Sequence, residues 1–136
     1  MSDIPYIRLT RSQGQEMIQD CGVCAISTLL DKRYEDVAAV ARDVAGERWK
    51  KGLWATQLIE IAKRLGATLK KRGKFDLETD TGVLDARITD EGDKKPCRHF
   101  VVLWGGKVYD WDGRVWATDA YTEHYTCTFT RLLELI

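Results

Sequence analysis

Apolar residues recur at helical spacing three times in the first half of the chain. Val23, Ile26, Leu29 and Leu30 follow Asp20, a residue suited to cap a helix, and they predict a buried helix starting at or just after Cys21. Val37, Ala38, Ala41, Val44 and Ala45 share one face of a second helix expected over 34–45, with Gly46 closing it. Lys50, Lys51 and Gly52 read as a loop, and Leu58, Ile61, Ala62 and Leu65 mark a third helix over 55–65, ended by Gly66. The period then changes. Strands are expected over 67–71 and 82–88, joined by a charged loop that carries Phe75 and Leu77. The run from His99 to Trp104, the pair Gly105-Gly106 and the run from Lys107 to Trp111 predict a hairpin with a two-residue turn. Counting back from a Trp104–Lys107 pair sets Val101 opposite Asp110 and His99 opposite Asp112, so that His99, Asp110 and Asp112 share a face. The stretch 90–96 reads as a surface connection, Tyr6 to Leu9 as a short extended arm, 121–129 as a last strand and 131–136 as a final helical turn. Helices first and antiparallel strands afterwards argue an α+β domain.

Composition narrows this picture without redirecting it. A chain of 136 residues closes one core, so a single domain over 1–136 is expected. Lys and Arg number 21, as do Asp and Glu, which removes the electrostatic case for nucleic acid or an anionic membrane as a partner. No apolar run is long enough to span a membrane and no basic-then-apolar leader is seen, so a cytoplasmic protein is expected. In that compartment the four cysteines read as free thiols or ligands rather than as a disulfide framework.

Cys21 stands where the helix pattern begins. Unpaired N–H groups and the positive end of the dipole favour the thiolate at such a position, and the thiolate is the form that attacks carbonyl carbon. Gln15, six residues upstream, carries an amide able to donate to a developing oxyanion. His99 opens the best strand in the sequence and faces two aspartates across the expected hairpin. Four readings of these residues compete. Cys21 and Cys24 may be taken as small apolar fillers and His99 as an ordinary strand residue; that accounts for each singly but not for their coexistence. Cys21-Gly-Val-Cys24 has the C-x-x-C spacing of a dithiol redox motif, but the polar segment before it lacks the strand such a motif follows. Cys21, Cys24, Cys97 and His99 compose a zinc-ligand set, with an unusual C-x-H second half. The fourth reading, a cysteine hydrolase, uses all the features at once.

In that reading the order of motifs is informative. Gln15 precedes Asp20-Cys21-Gly22 and its helix; Lys51-Gly-Leu-Trp-Ala-Thr-Gln-Leu58 runs on to Ala62-Lys-Arg-Leu-Gly66; His99-Phe-Val-Val-Leu103 and Val108-Tyr-Asp110 follow. In this order the chain resembles the bacteriocin-processing (double-glycine leader) peptidases of the papain-like fold, over most of its length. The Gln placed six positions before a Cys-Gly helix start is the most specific element. The resemblance implies a papain-like domain with N-terminal helices packed on a C-terminal antiparallel sheet, and peptide or protein as substrate. It implies Cys21 as nucleophile, His99 as general base, Gln15 as oxyanion donor and an aspartate of the following strand as the orienting acid. Asp110 fits the pattern best, with Asp112 as its rival across the hairpin. No metal or other cofactor is called for. The alternative from another class is a catalytically idle module of the same fold that captures peptides or a protein partner. Trp49, Trp54, Trp104, Trp111 and Trp116 read as core more readily than as a peptide groove. His124 has no partner in the sequence pattern, and Lys70-Lys71-Arg72 reads as a solvated strand end.

Overall fold

In a computed structural model, which describes residues 19–88, 97–111 and 113–136, the three expected helices occupy Cys21–Leu30 (α1), Tyr34–Ala45 (α2) and Ala55–Arg64 (α3). Every residue of α1 except Leu30 is buried, and the Ser27 hydroxyl satisfies itself by donating to the Val23 carbonyl at 2.8 Å. Asp20 does not cap α1 with its side chain; instead its Oδ2 accepts the Tyr34 hydroxyl at 2.8 Å and ties the start of α1 to α2. The segment expected as a loop after α2 coils into a 3-10 turn over Gly46–Lys51, which buries Trp49. Gln57 accepts the Trp54 N–H at 2.8 Å and starts α3. At the other end of α3, the Ala67 N–H reaches back to the Ala62 carbonyl at 2.9 Å and Gly66 adopts φ 90°.

The strands are Leu69–Arg72 (β1), Gly82–Ile88 (β2), Cys97–Trp104 (β3), Lys107–Tyr109 (β4), Val115–Ala117 (β5) and Cys127–Leu135 (β6), with a fourth helix, α4, over Thr118–Tyr125. They form one antiparallel sheet in the order β1-β6-β2-β3-β4-β5. Gly105 and Gly106 both have positive φ, 57° and 76°, as the tight turn between β3 and β4 requires, and Trp104 pairs with Lys107 as expected. The expected arm at Tyr6 to Leu9 and the connection over 90–96 lie outside the described residues.

The sequence reading of the last third needs correction. The expected strand over 121–129 is α4 followed by the first residues of β6, and the expected helical turn over 131–136 is the rest of β6. Long-range pairing decides this, because β6 lies between β1 and β2 in the sheet, with a core layer on each face. Leu132 and Leu133 are therefore both fully buried, one on each face, and this adjacent pair breaks the alternation that marks a half-exposed strand. Thr126, at φ 49°, makes the break between α4 and β6.

Each face of the sheet has its own core. Val83, Phe100, Val102, Tyr109 and Leu133 pack against α1, α2 and α3 through Val23, Ile26, Val37, Leu58 and Ile61. Leu84, Ala86, Val101, Leu103, Val108 and Leu132 form the other core with Tyr121 of α4 and Cys127. A bulge in the β2–β6 ladder falls between Asp85 and Ala86, where the Thr130 hydroxyl donates to the Asp85 carbonyl at 3.1 Å. The Asp85 side chain is buried and faces Arg131 at 2.9 Å and Arg98 at 3.6 Å.

Candidate active site

Cys21 is the first residue of α1, so its backbone N–H belongs to the unpaired first turn; the first intrahelical bond beyond the cap is Cys24 N–H to the Asp20 carbonyl at 2.9 Å. The helix runs against β3, the strand that carries His99. The β3–β4 ladder ends at the Val102–Tyr109 pair, so the expected pairing of Val101 with Asp110 is not made. The chain turns there instead: the Asp110 N–H goes to the Arg114 carbonyl, and the Gly113 N–H to the Asp110 carbonyl, both at 3.0 Å.

That turn aims the Asp110 carboxylate at His99. Asp110 Oδ1 lies 2.8 Å from His99 Nε2 and also accepts the Trp111 backbone N–H at 2.8 Å, which holds the carboxylate in place. With Nε2 committed to Asp110, Nδ1 is the nitrogen left for Cys21, the second side chain within hydrogen-bonding reach of this imidazole. Burial by itself lowers the pKa of His99. The hydrogen bond to Asp110 comes next in size and raises it; the hydrogen bond and charge of Cys21 and the charge of Asp110 add to that, and the result is a pKa pushed up to about 10. An imidazole in this setting keeps its proton at neutral pH.

Asp110 is itself buried, and its charge is felt on the far side as well. Burial raises the Tyr121 pKa and the Asp110 charge raises it further, while burial and the same charge push the Cys127 thiol up to about 11. The Tyr121 hydroxyl is buried without a hydrogen-bond partner meeting full geometry. Neither residue stood out in the sequence, where 121–129 reads as a strand.

Of the residues expected to form the site, the structure therefore brings Cys21, His99 and Asp110 together, whereas Gln15 and Asp112 lie outside the described residues. Cys24 is fully within α1, three residues beyond Cys21, and Cys21, Cys24 and Cys127 are free thiols. Among the described residues no three His, Cys, Asp or Glu side chains gather as a metal site requires. His124 lies on α4 rather than on a strand and stacks on Trp116, with ring centres 4.9 Å apart. Trp49 is core as expected, Trp104, Trp111 and Trp116 are half-buried, and Trp54 departs from the expectation at 63% exposure. No described helix is long and apolar enough to cross a membrane. Compared with known proteins, the chain matches no family model and no curated protein.

Proposed function

We propose that this chain is a cysteine peptidase or amide hydrolase of the papain-like type, related in design to the double-glycine leader peptidases. The observation that carries the reading is the chain of contacts from Cys21 at a helix start, through His99, to a carboxylate held by its own turn. In this mechanism the Cys21 thiolate attacks the substrate carbonyl carbon, and the carbonyl electron pair moves to oxygen. The Cys21 N–H faces that oxyanion, and Gln15 is the proposed second donor. Collapse of the tetrahedral species breaks the C–N bond, and the His99 imidazolium protonates the departing amine. Neutral His99 then takes a proton from water as the water attacks the thioester, which releases the acid and returns Cys21 with its proton on His99. Asp110 keeps the ring oriented and balances its positive charge throughout.

The test is covalent capture. A thiol-directed activity probe should label Cys21 and no other cysteine in the folded protein, with labelling lost in His99→Ala and hydrolysis of a peptide library lost in Cys21→Ala. Labelling without turnover of any peptide would convert the reading to that of a binding module, and no labelling at all would remove it.

A further inference from the structure

A cleft of about 420 Å³ opens between the end of α2, the 3-10 turn, the start of α3 and Arg98 of β3. Its wall is joined to the start of α1, which carries Cys21. Leu53, in the wall, packs over Gly22, where a Cβ would stand 3.5 Å from Leu53 Cδ1; a Cβ on Gly52, also in the wall, would stand 3.2 Å from Gln19 Oε1. Gln19 in turn donates its N–H to the Lys50 carbonyl at 2.8 Å. Arg98 of β3 also lines the cleft, one residue before His99 on the strand and so of the opposite parity.

The cleft is positively charged. Arg48, Lys51 and Arg98 line it, and no acidic side chain does among the described residues. The neighbouring cations Arg42 and Lys50 are matched by Glu47 at 3.2 and 3.4 Å, whereas neither Arg48 nor Lys51 has an ion pair among the described residues. Arg98 has Asp85 at 3.6 Å, but Arg131 holds that carboxylate more closely, at 2.9 Å, so two guanidinium groups share one negative charge. Trp54 adds an exposed ring, with the Arg98 guanidinium 5.9 Å from its centre. A rigid cation beside a flat apolar face suits a carboxylate with a peptide backbone lying across the ring.

We infer that this cleft is a substrate subsite that selects a carboxylate on the peptide, close to the bond presented to Cys21. The inference rests on the hydrolase reading and deepens it by naming the substrate class: an acidic peptide segment, whose carboxylate is either a Glu or Asp side chain or the chain end. Arg98 and Trp54 form the floor that aligns the segment, while Arg48 and Lys51 supply charge at the mouth.

Calorimetric titration of the full Cys21→Ala chain separates the two readings, because it measures binding without turnover. The probes are N-acetylated, C-terminally amidated hexapeptides alternating Gly with Glu or Gly with Gln, and all-Gly hexapeptides with free or amidated C termini. The Glu peptide is expected to bind at least about tenfold more tightly than the Gln peptide, as hydrogen bonds to charged groups supply. Tighter binding of only the free-ended all-Gly peptide would support the site and assign the carboxylate to the chain end. Arg48→Gln with Lys51→Gln should erase the discrimination, and Lys70→Gln with Lys71→Gln, on the remote β1, should leave it intact. Equal binding of charged and neutral probes overturns the subsite, as does equal loss in the β1 variant. Labelling of Cys21 in the wild-type chain reports on the hydrolase reading separately.

Discussion

The two faces of the sheet are covered with different materials. On one, α1, α2 and α3 lay down an aliphatic layer, Val23, Ile26, Val37, Leu58 and Ile61, that packs with Cys21, while the Asp20–Tyr34 hydrogen bond ties the start of α1 to α2. On the other, α4 brings rings: Tyr121 and Tyr125 at 4.8 Å, Tyr121 and Phe129 at 6.0 Å, and Trp116 against Tyr125 at 5.8 Å. That layer turns Trp116 Nε1 and the Tyr121 hydroxyl inward, the latter close to the Asp110 carboxylate, while buried Trp49 Nε1 is their counterpart on the first face. His99 shares its strand parity with Val101 and Leu103 of this second core, yet pairs with Cys21 of the first. Cys21 thus sits in an aliphatic packing layer, and His99 and Asp110 in a dry, charged setting. Substitutions on the two sides should fail in different ways.

The largest expected effect is on the aliphatic side. Cys21→Ala should reduce hydrolysis to background, a loss on the order of 10⁴ or more, while circular dichroism and the unfolding midpoint stay close to wild type. Retained activity in that variant would falsify the assignment of Cys21. Asp110→Asn keeps the size of the side chain and removes its charge, so kcat should fall by about 10² to 10⁴. The pKa of His99, followed by NMR of the ring, should drop well below 10 in the same variant, because Asp110 supplies the largest of the raising contributions. A fall in activity with no change in that titration would show that Asp110 acts by shape. Gln15→Ala should lower kcat about a hundredfold with KM little changed, as for one lost oxyanion donor; a change confined to KM would make Gln15 a binding residue.

A smaller effect should appear in stability against pH. The His99 pKa is raised on folding, from 6.5 to about 10, so the stabilisation is complete below 6.5 and disappears as pH rises through about 10. Chemical denaturation should therefore show a decline across that window that His99→Gln removes. The smallest effect belongs to the aromatic layer. Tyr121→Phe deletes a buried hydroxyl that makes no well-aligned hydrogen bond, and should change stability by no more than about 1 kcal/mol. A loss of several kcal/mol, or a His99 pKa displaced as far as in Asp110→Asn, would make Tyr121 part of the support for Asp110.

The same contrast explains what could be read from the sequence. The helices of the aliphatic layer were legible because each buries a single stripe or starts at a small polar residue, and Gly46, Gly66 and Gly105-Gly106 mark the ends and the turn. The meeting of Cys21 and His99 was legible from residue types. On the aromatic side, Tyr121, Tyr125 and Phe129 recur every four residues yet fall in two elements, and only pairing with β2 distinguishes them. The exit of Asp110 from its ladder comes from backbone bonds to Arg114 and Gly113 that no side-chain pattern announces. Asp85 gave no signal either, because its partners Arg98 and Arg131 come from two other strands.

The position of β6 also dictates when the fold can form during synthesis. It is the latest of the described elements in the chain, yet it is the strand on which β1 and β2 both register, from Leu69 with Leu135 to Ile88 with Cys127. Until those residues leave the ribosome, β1 has no neighbour in the sheet and the Asp85 carboxylate lacks Arg131. The helix bearing Cys21 emerges well before β3, the strand it packs on. A nascent chain therefore carries Cys21 well before His99 and Asp110 are there to meet it.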